Sequence, residues 1–129
     1  MGSIHSSGAD RVLVLVVEDE ALVRMLVVQT LEEAGFAVME AAEAQGALEV
    51  LRSDDAIRLM VTDVGLPGLN GRRLADEARA QRPDMKVLFM TGYADSALLE
   101  NLLPEGFGLI TKPFDLDELA ARAQALLGA

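Results

Sequence analysis

Five polar side chains sit where the chain otherwise reads as buried. Glu18 and Asp19 follow the apolar run Val12–Val17, Asp63 closes the run Ile57–Asp63, Thr91 closes Lys86–Thr91, and Lys112 follows Phe107–Thr111. Continuous β-branched and aliphatic runs are what strands covered on both faces require. Each polar group therefore falls at the carboxyl end of a strand, where open parallel sheets bind their ligands. If the first and third runs are neighbours, three carboxylates share one pocket and repel one another, a cost that a divalent cation relieves. With oxygen donors only, that cation is a hard one, Mg²⁺ or Mn²⁺ in its place. Mg²⁺ typically takes one or two carboxylates together with phosphate oxygens, which points to phosphoryl chemistry.

A carboxylate can itself be the nucleophile and form an acyl phosphate. Asp63 is the candidate, because it stands alone at a central strand end and Gly65, Pro67 and Gly71 shape an open loop after it. Transfer of an anionic phosphoryl group demands alignment and positive charge. Lys112 supplies a cation, the Thr91 hydroxyl a donor, and the Gly65 carbonyl a further oxygen for the metal. Each residue has a plainer role when taken alone: a strand-end Asp caps or turns, an acid pair is solvated, and Lys-Pro marks a helix boundary. Their conjunction carries the chemistry.

The totals narrow the alternatives. A chain of 129 residues with 51% apolar residues can bury one substantial core. With aromatics at 4% that core is aliphatic. The formal charge of −10 disfavours nucleic acid and anionic lipid as partners of this chain. There is no Cys, which excludes thiolate nucleophiles and disulfides, and the one His, His5, lies in the leader "MGSIHSSG". That leader reads as tag-derived over residues 1–9, outside a single domain over 10–129. Without it the chain has no histidine to serve as base or ligand. No apolar run is long enough for a membrane span, so a cytoplasmic domain is expected.

The elements that position these residues alternate. Strands are expected at 12–17, 36–41, 57–63, 86–91 and 107–111. Between them, Val23, Leu26, Val27, Leu31 and Ala34 mark a first helix stopped by Gly35. Ala44, Ala47, Leu48 and Leu51 mark a second, and Leu74, Ala75 and Ala78 a third that ends before Pro83. "ADSALLENLL" predicts a short fourth helix in a mobile stretch over 94–106. The last helix begins at a capping box of Asp115 and Glu118, with Phe114 and Leu119 as a hydrophobic staple. Five βα repeats imply a single (βα)5 doubly wound α/β domain, a parallel sheet with helices on both faces.

The motifs "VVEDE", "VTDVGLPGLNG", "MTGYA" and "TKPF" together resemble the receiver domain of two-component response regulators, with a flavodoxin-like fold, over Arg11 to Leu127. The resemblance implies the strand order 2-1-3-4-5. It implies that Asp63 accepts a phosphoryl group from a phosphohistidine on a sensor histidine kinase or histidine phosphotransfer protein, so that the partner supplies the histidine this chain lacks. It further implies that Asp19 holds Mg²⁺ directly, Glu18 through water and Gly65 through its carbonyl. Thr91 and Lys112 match the switch hydroxyl and the phosphoryl-binding lysine, and Lys112–Pro113 matches a bond that is commonly cis. Such a domain is no conventional enzyme, since it catalyses only its own phosphorylation and dephosphorylation, and it signals to a downstream protein that the sequence does not name.

Two positions depart from the family pattern. Leu109 stands where a switch aromatic is usual, and Tyr93 is bulky at a place that governs water access to an acyl phosphate, predicting slow self-hydrolysis. The first helix is also unusually apolar: Leu22, Met25 and Val28 are expected to pack against the last helix, with a partner surface as the alternative and Arg24 as its probe. The stand-alone regulator, the relay and the receiver of a hybrid kinase or larger regulator all remain open. A Mg²⁺-dependent phosphatase or phosphotransferase acting on small molecules is the competing activity, but it needs an acid at position 65, where Gly65 stands. A degenerate, binding-only receiver is disfavoured because all five site residues are present.

Overall fold

The computed structural model describes residues 11–53, 56–65, 70–92 and 103–128. Within them the chain runs β1 (Leu13–Val17), α1 (Ala21–Glu33), β2 (Ala37–Ala41), α2 (Ala44–Ser53), β3 (Ile57–Asp63), α3 (Gly71–Gln81), β4 (Lys86–Thr91), β5 (Phe107–Thr111) and α4 (Leu116–Leu126). The five strands form one parallel sheet in the order β2-β1-β3-β4-β5, as the family resemblance implied. The order reverses between β1 and β3, so the crevice beyond their carboxyl ends is where a ligand belongs.

Alternation along the strands builds two cores. Leu15, Val17, Met60 and Phe89 face one way, against Ala47, Leu48 and Leu51 of α2 and Leu74 and Ala78 of α3. Val14, Val16, Leu59, Val61, Leu88, Met90 and Ile110 face the other way, against Val27 and Leu31 of α1 and Leu119 and Ala123 of α4. This two-sided burial is why the strands read as continuous apolar runs rather than alternating ones.

The helix ends follow their local signals. Gly35 closes α1 at φ 104°, the left-handed conformation that a side chain would oppose. Asn70 caps α3 by accepting from the Arg73 amide at 2.9 Å, and α3 stops two residues before Pro83. Asp115 caps α4 by accepting from the Asp117 amide at 3.1 Å. The expected box does not form, because Asp115 reaches the Asp117 amide rather than that of Glu118, and Glu118 instead accepts from Arg122 Nε at 3.1 Å. Phe114 and Leu119 share the α1/α4 core, as a staple requires. The helix expected over "ADSALLENLL", most of the stretch expected to be mobile, the leader, Pro67 and Tyr93 lie outside the described residues.

Packing against α4 does not account for the apolar surplus of α1. Val28 is half-buried against the core, but Leu22 and Met25 are 66% and 55% exposed. Their positions on the helix point them away from the stripe that Val27 and Leu31 bury, so the expected packing is corrected for these two residues.

Candidate functional site

Strand register brings the acids together. Val17 pairs with Thr62 across β1 and β3, so the next residues, Glu18 and Asp63, end adjacent strands. Alternation settles the face. Glu18 continues the series Val14, Val16; Asp63 continues Leu59, Val61; Lys112 continues Ile110. All three therefore fall on the α1/α4 side of the sheet, beyond its carboxyl edge.

Lys112 joins them. Its Nζ donates to Asp63 Oδ2 at 2.7 Å and to Glu18 Oε1 at 2.9 Å. Both contacts are ion pairs in a setting where Glu18 is fully buried and Lys112 is 27% exposed. The other Glu18 oxygen accepts from the Glu20 amide at 3.0 Å. Burial pushes the Glu18 carboxyl above its usual range, although the Glu20 amide and Lys112 pull against that rise. Burial also works against the Lys112 ammonium, but the hydrogen bonds and charges of Asp63 and Glu18 outweigh it and hold its pKa above the ordinary lysine value. Asp63 Oδ1 accepts from the Gly65 amide at 3.0 Å.

Asp19 is exposed and makes no hydrogen bond or ion pair among the described residues, yet its carboxylate lies with those of Glu18 and Asp63 inside a 4.8 Å cluster. Three carboxylates against one ammonium leave a charge of −2, which a divalent cation would cancel. The donors are all hard oxygens, one of them already oriented by Gly65, so the residues present fit Mg²⁺ or Mn²⁺.

The two switch positions fall on the other face. Thr91 is buried at the end of β4, in the α2/α3-facing series with Phe89. Its hydroxyl donates to the Gly92 carbonyl at 3.4 Å, a weak contact, and bonds to neither Asp63 nor Lys112. The tie to the lysine runs through the backbone, since the Lys112 amide donates to the Thr91 carbonyl at 2.7 Å. Leu109 packs into the α2/α3 core, while its carbonyl accepts from Arg122 of α4 at 2.7 Å. The Lys112–Pro113 bond is cis.

Arg24 is the residue whose role the sequence did not reveal. Its Nη1 donates to the Glu18 carbonyl at 2.8 Å, and its Nε pairs with Glu40 on β2 at 3.0 Å. It thus braces the main chain of the acidic corner, which corrects its use as a simple surface probe. Lying in helical register with Ala21, it reads in the sequence as an ordinary solvent-facing arginine.

A five-stranded parallel α/β sheet with an acid pair, a lone aspartate and a lysine at one crevice defines a class, and comparison with known proteins gives it a family. Residues 14–124 match the response regulator receiver domain, and the chain belongs to that family. It is 40% identical over 116 residues to the sensor kinase CckA of Brucella abortus, which covers 88% of this chain and 12% of that protein. It is 32% identical to the response regulator receiver protein CpdR of the same organism, covering 88% of this chain and 95% of CpdR. The chain spans 48% of the aerobic respiration control protein ArcA of Escherichia coli. Among solved structures, a receiver protein from Sinorhizobium medicae superimposes with a TM-score of 0.84 at 30% identity, covering 94% of this chain and 98% of that one. The receiver domain of the hybrid histidine kinase CckA does so with a TM-score of 0.75 at 30% identity, covering 89% and 98%.

Proposed function

We propose that this receiver domain is a phospho-accepting switch in which Asp63 is the acceptor. The observation that carries this reading is the double contact of Lys112 Nζ with Asp63 and Glu18 beside the free carboxylate of Asp19. In the proposed step an Asp63 carboxylate oxygen attacks the phosphorus of a phosphohistidine. The P–N bond breaks, its electron pair returns to the imidazole nitrogen, and an acyl phosphate forms on Asp63. Hydrolysis by water later restores the carboxylate and releases phosphate. Bound Mg²⁺ supplies positive charge to the phosphoryl oxygens. Glu18 and the Gly65 amide hold Lys112 and Asp63 in position, and Asp19 offers the exposed metal ligand. Lys112 exchanges part of its contact with Asp63 for the incoming phosphoryl group. Thr91 turns its hydroxyl from Gly92 toward that group, which shifts the β4–β5 edge.

The donor is a histidine kinase or phosphotransfer protein in the cytoplasm. Its docking site is the apolar groove of about 450 Å³ lined by Val23, Leu26, Val27, Pro113, Phe114 and Leu116, which opens onto Lys112. With Leu22 exposed one turn before Leu26 on the same helix, it offers an apolar surface at the mouth of the acidic pocket, where a helix carrying the phosphohistidine has to arrive.

The test is incubation with acetyl phosphate and Mg²⁺, read by intact mass, beside Asp63→Asn. A single phosphoryl increment on the wild type and none on the variant is expected. An unmodified wild type that also ignores beryllofluoride, or a variant labelled to the same extent, overturns the reading.

A further inference from the structure

The end of the sheet opposite the acidic pocket carries a second polar site. A concavity of about 1070 Å³ lies there, lined among others by Arg52, Arg58, Arg79, Arg82 and Lys86. Those five residues are nearly half of the 11 Lys and Arg in a chain of formal charge −10. Such crowding of like charge is unfavourable unless something offsets it. Asp84 and Glu105 also line the concavity, but among the described residues none of the five cations forms an ion pair with a carboxylate.

Two of the cations are held in place by other means. The Arg79 guanidinium stacks over the Phe107 ring at 4.9 Å, and Arg82 Nη2 donates to the Leu51 carbonyl. Arg79 Nε and Nη1 and Arg82 Nε are left without an acceptor among the described residues. A guanidinium carries five N–H donors in a rigid fork suited to phosphate, and leaving them unmatched is costly. Arg52 and Arg58, at the rim, are exposed.

From this geometry we infer a binding site for a small phosphate-bearing anion with at least two phosphoryl groups, such as pyrophosphate or a nucleoside polyphosphate. Among the described lining residues, five cations less two carboxylates leave a charge of +3, more than one phosphate group can balance and similar in size to that of pyrophosphate. A volume near 1000 Å³ also accommodates a nucleotide, and Leu51, Ile57 and Met85 give the site an apolar floor. Extended nucleic acid is the poorer match, because the rest of the surface is strongly acidic and repels a long polyanion, whereas a concave basic site focuses its field on a small one. The site lies at the amino ends of the strands and is independent of the phospho-acceptor reading.

The experiment is titration of the intact chain, at low salt and without Mg²⁺, with pyrophosphate, ATP and AMP, followed by amide chemical shifts. Saturable shifts at residues 52–58 and 79–86 are expected with pyrophosphate and ATP and not with AMP. Binding should weaken about tenfold in Arg52→Gln/Arg58→Gln, whose exposed side chains leave the fold intact, and should persist in Asp63→Asn. Tighter binding of ATP than of pyrophosphate assigns the floor to the base; equal binding assigns recognition to phosphate alone. Absence of saturable shifts, shifts confined to the Asp63 pocket, undiminished binding in the rim variant, or tighter binding of duplex DNA than of either small anion would overturn the inference.

Discussion

Gly71 lies directly against the backbone of Asp63: a Cβ at position 71 would fall 2.9 Å from the Asp63 carbonyl carbon and equally close to the Val64 Cα. The amino end of α3 is thereby folded back onto the strand that carries the candidate acceptor, and the Gly71 amide donates to the Val64 carbonyl at 2.8 Å. Backbone cannot yield as a flexible side chain can. Gly71→Ala is therefore expected to cost about 1–3 kcal/mol of stability and to slow phosphorylation by displacing Asp63. Gly65→Ala is the control, since its Cβ would meet Asp63 Oδ1 at an ordinary 3.9 Å. Urea unfolding of both variants measures the contrast; equal stabilities would refute it.

The acidic pocket sets stability against function. Asp19 adds a third carboxylate to a cluster that contains one ammonium. Asp19→Asn should raise the midpoint of thermal unfolding by a few degrees in chelator, because it removes repulsion without breaking a hydrogen bond. It should also weaken Mg²⁺ binding at least about tenfold. Calorimetry and Mg²⁺ titration check both halves. A variant destabilised in chelator would show that Asp19 is structural.

Lys112 makes the metal-free domain sensitive to alkali. Its pKa in the folded state lies above 10.5, the value for an unperturbed lysine, because Asp63 and Glu18 outweigh the effect of burial. A cation with a raised folded pKa contributes stability that is fully present below 10.5 and is lost as pH rises through the folded value. The stability difference between wild type and Lys112→Met, measured by urea unfolding in chelator, should therefore be constant between about pH 8 and 10 and shrink above about 10.5. A difference that grows with alkalinity would contradict the assignment of the charge.

Leu22 and Leu26 separate docking from chemistry. Both are exposed and Leu26 lines the groove, so Leu22→Ser and Leu26→Ser should change stability by no more than about 1 kcal/mol and leave labelling by acetyl phosphate unaltered. Transfer from a phosphorylated histidine kinase should slow about tenfold or more. Arg24→Glu should impair both reactions, because Arg24 braces the Glu18 main chain and pairs with Glu40. Kinase transfer that is indifferent to both apolar substitutions would move the docking surface elsewhere.

Much of the domain was legible because its determinants are local. Runs such as Leu13–Val17 and Leu59–Val61 are apolar on every residue, which only a strand covered on both faces sustains, and the glycine at 35 and the cap at 115 act within one turn of their helices. The residue types at positions 18, 19, 63 and 112 likewise announce an acidic pocket suited to a hard cation, with an ammonium beside it, since the chemistry of a carboxylate or an ammonium belongs to the side chain itself. Relations across the sheet were decided by the tertiary structure. Strand register set Lys112 between Glu18 and Asp63, turned Thr91 to the opposite face, and drew Arg24 beneath the acid pair. Helix packing left Leu22 and Met25 in solvent, and the meeting of α2, β3, α3 and β4 gathered five cations from separate segments into one concavity. These arrangements depend on which distant groups come within a few ångströms. That proximity arises only when both cores close together, so no local pattern in the chain encodes it.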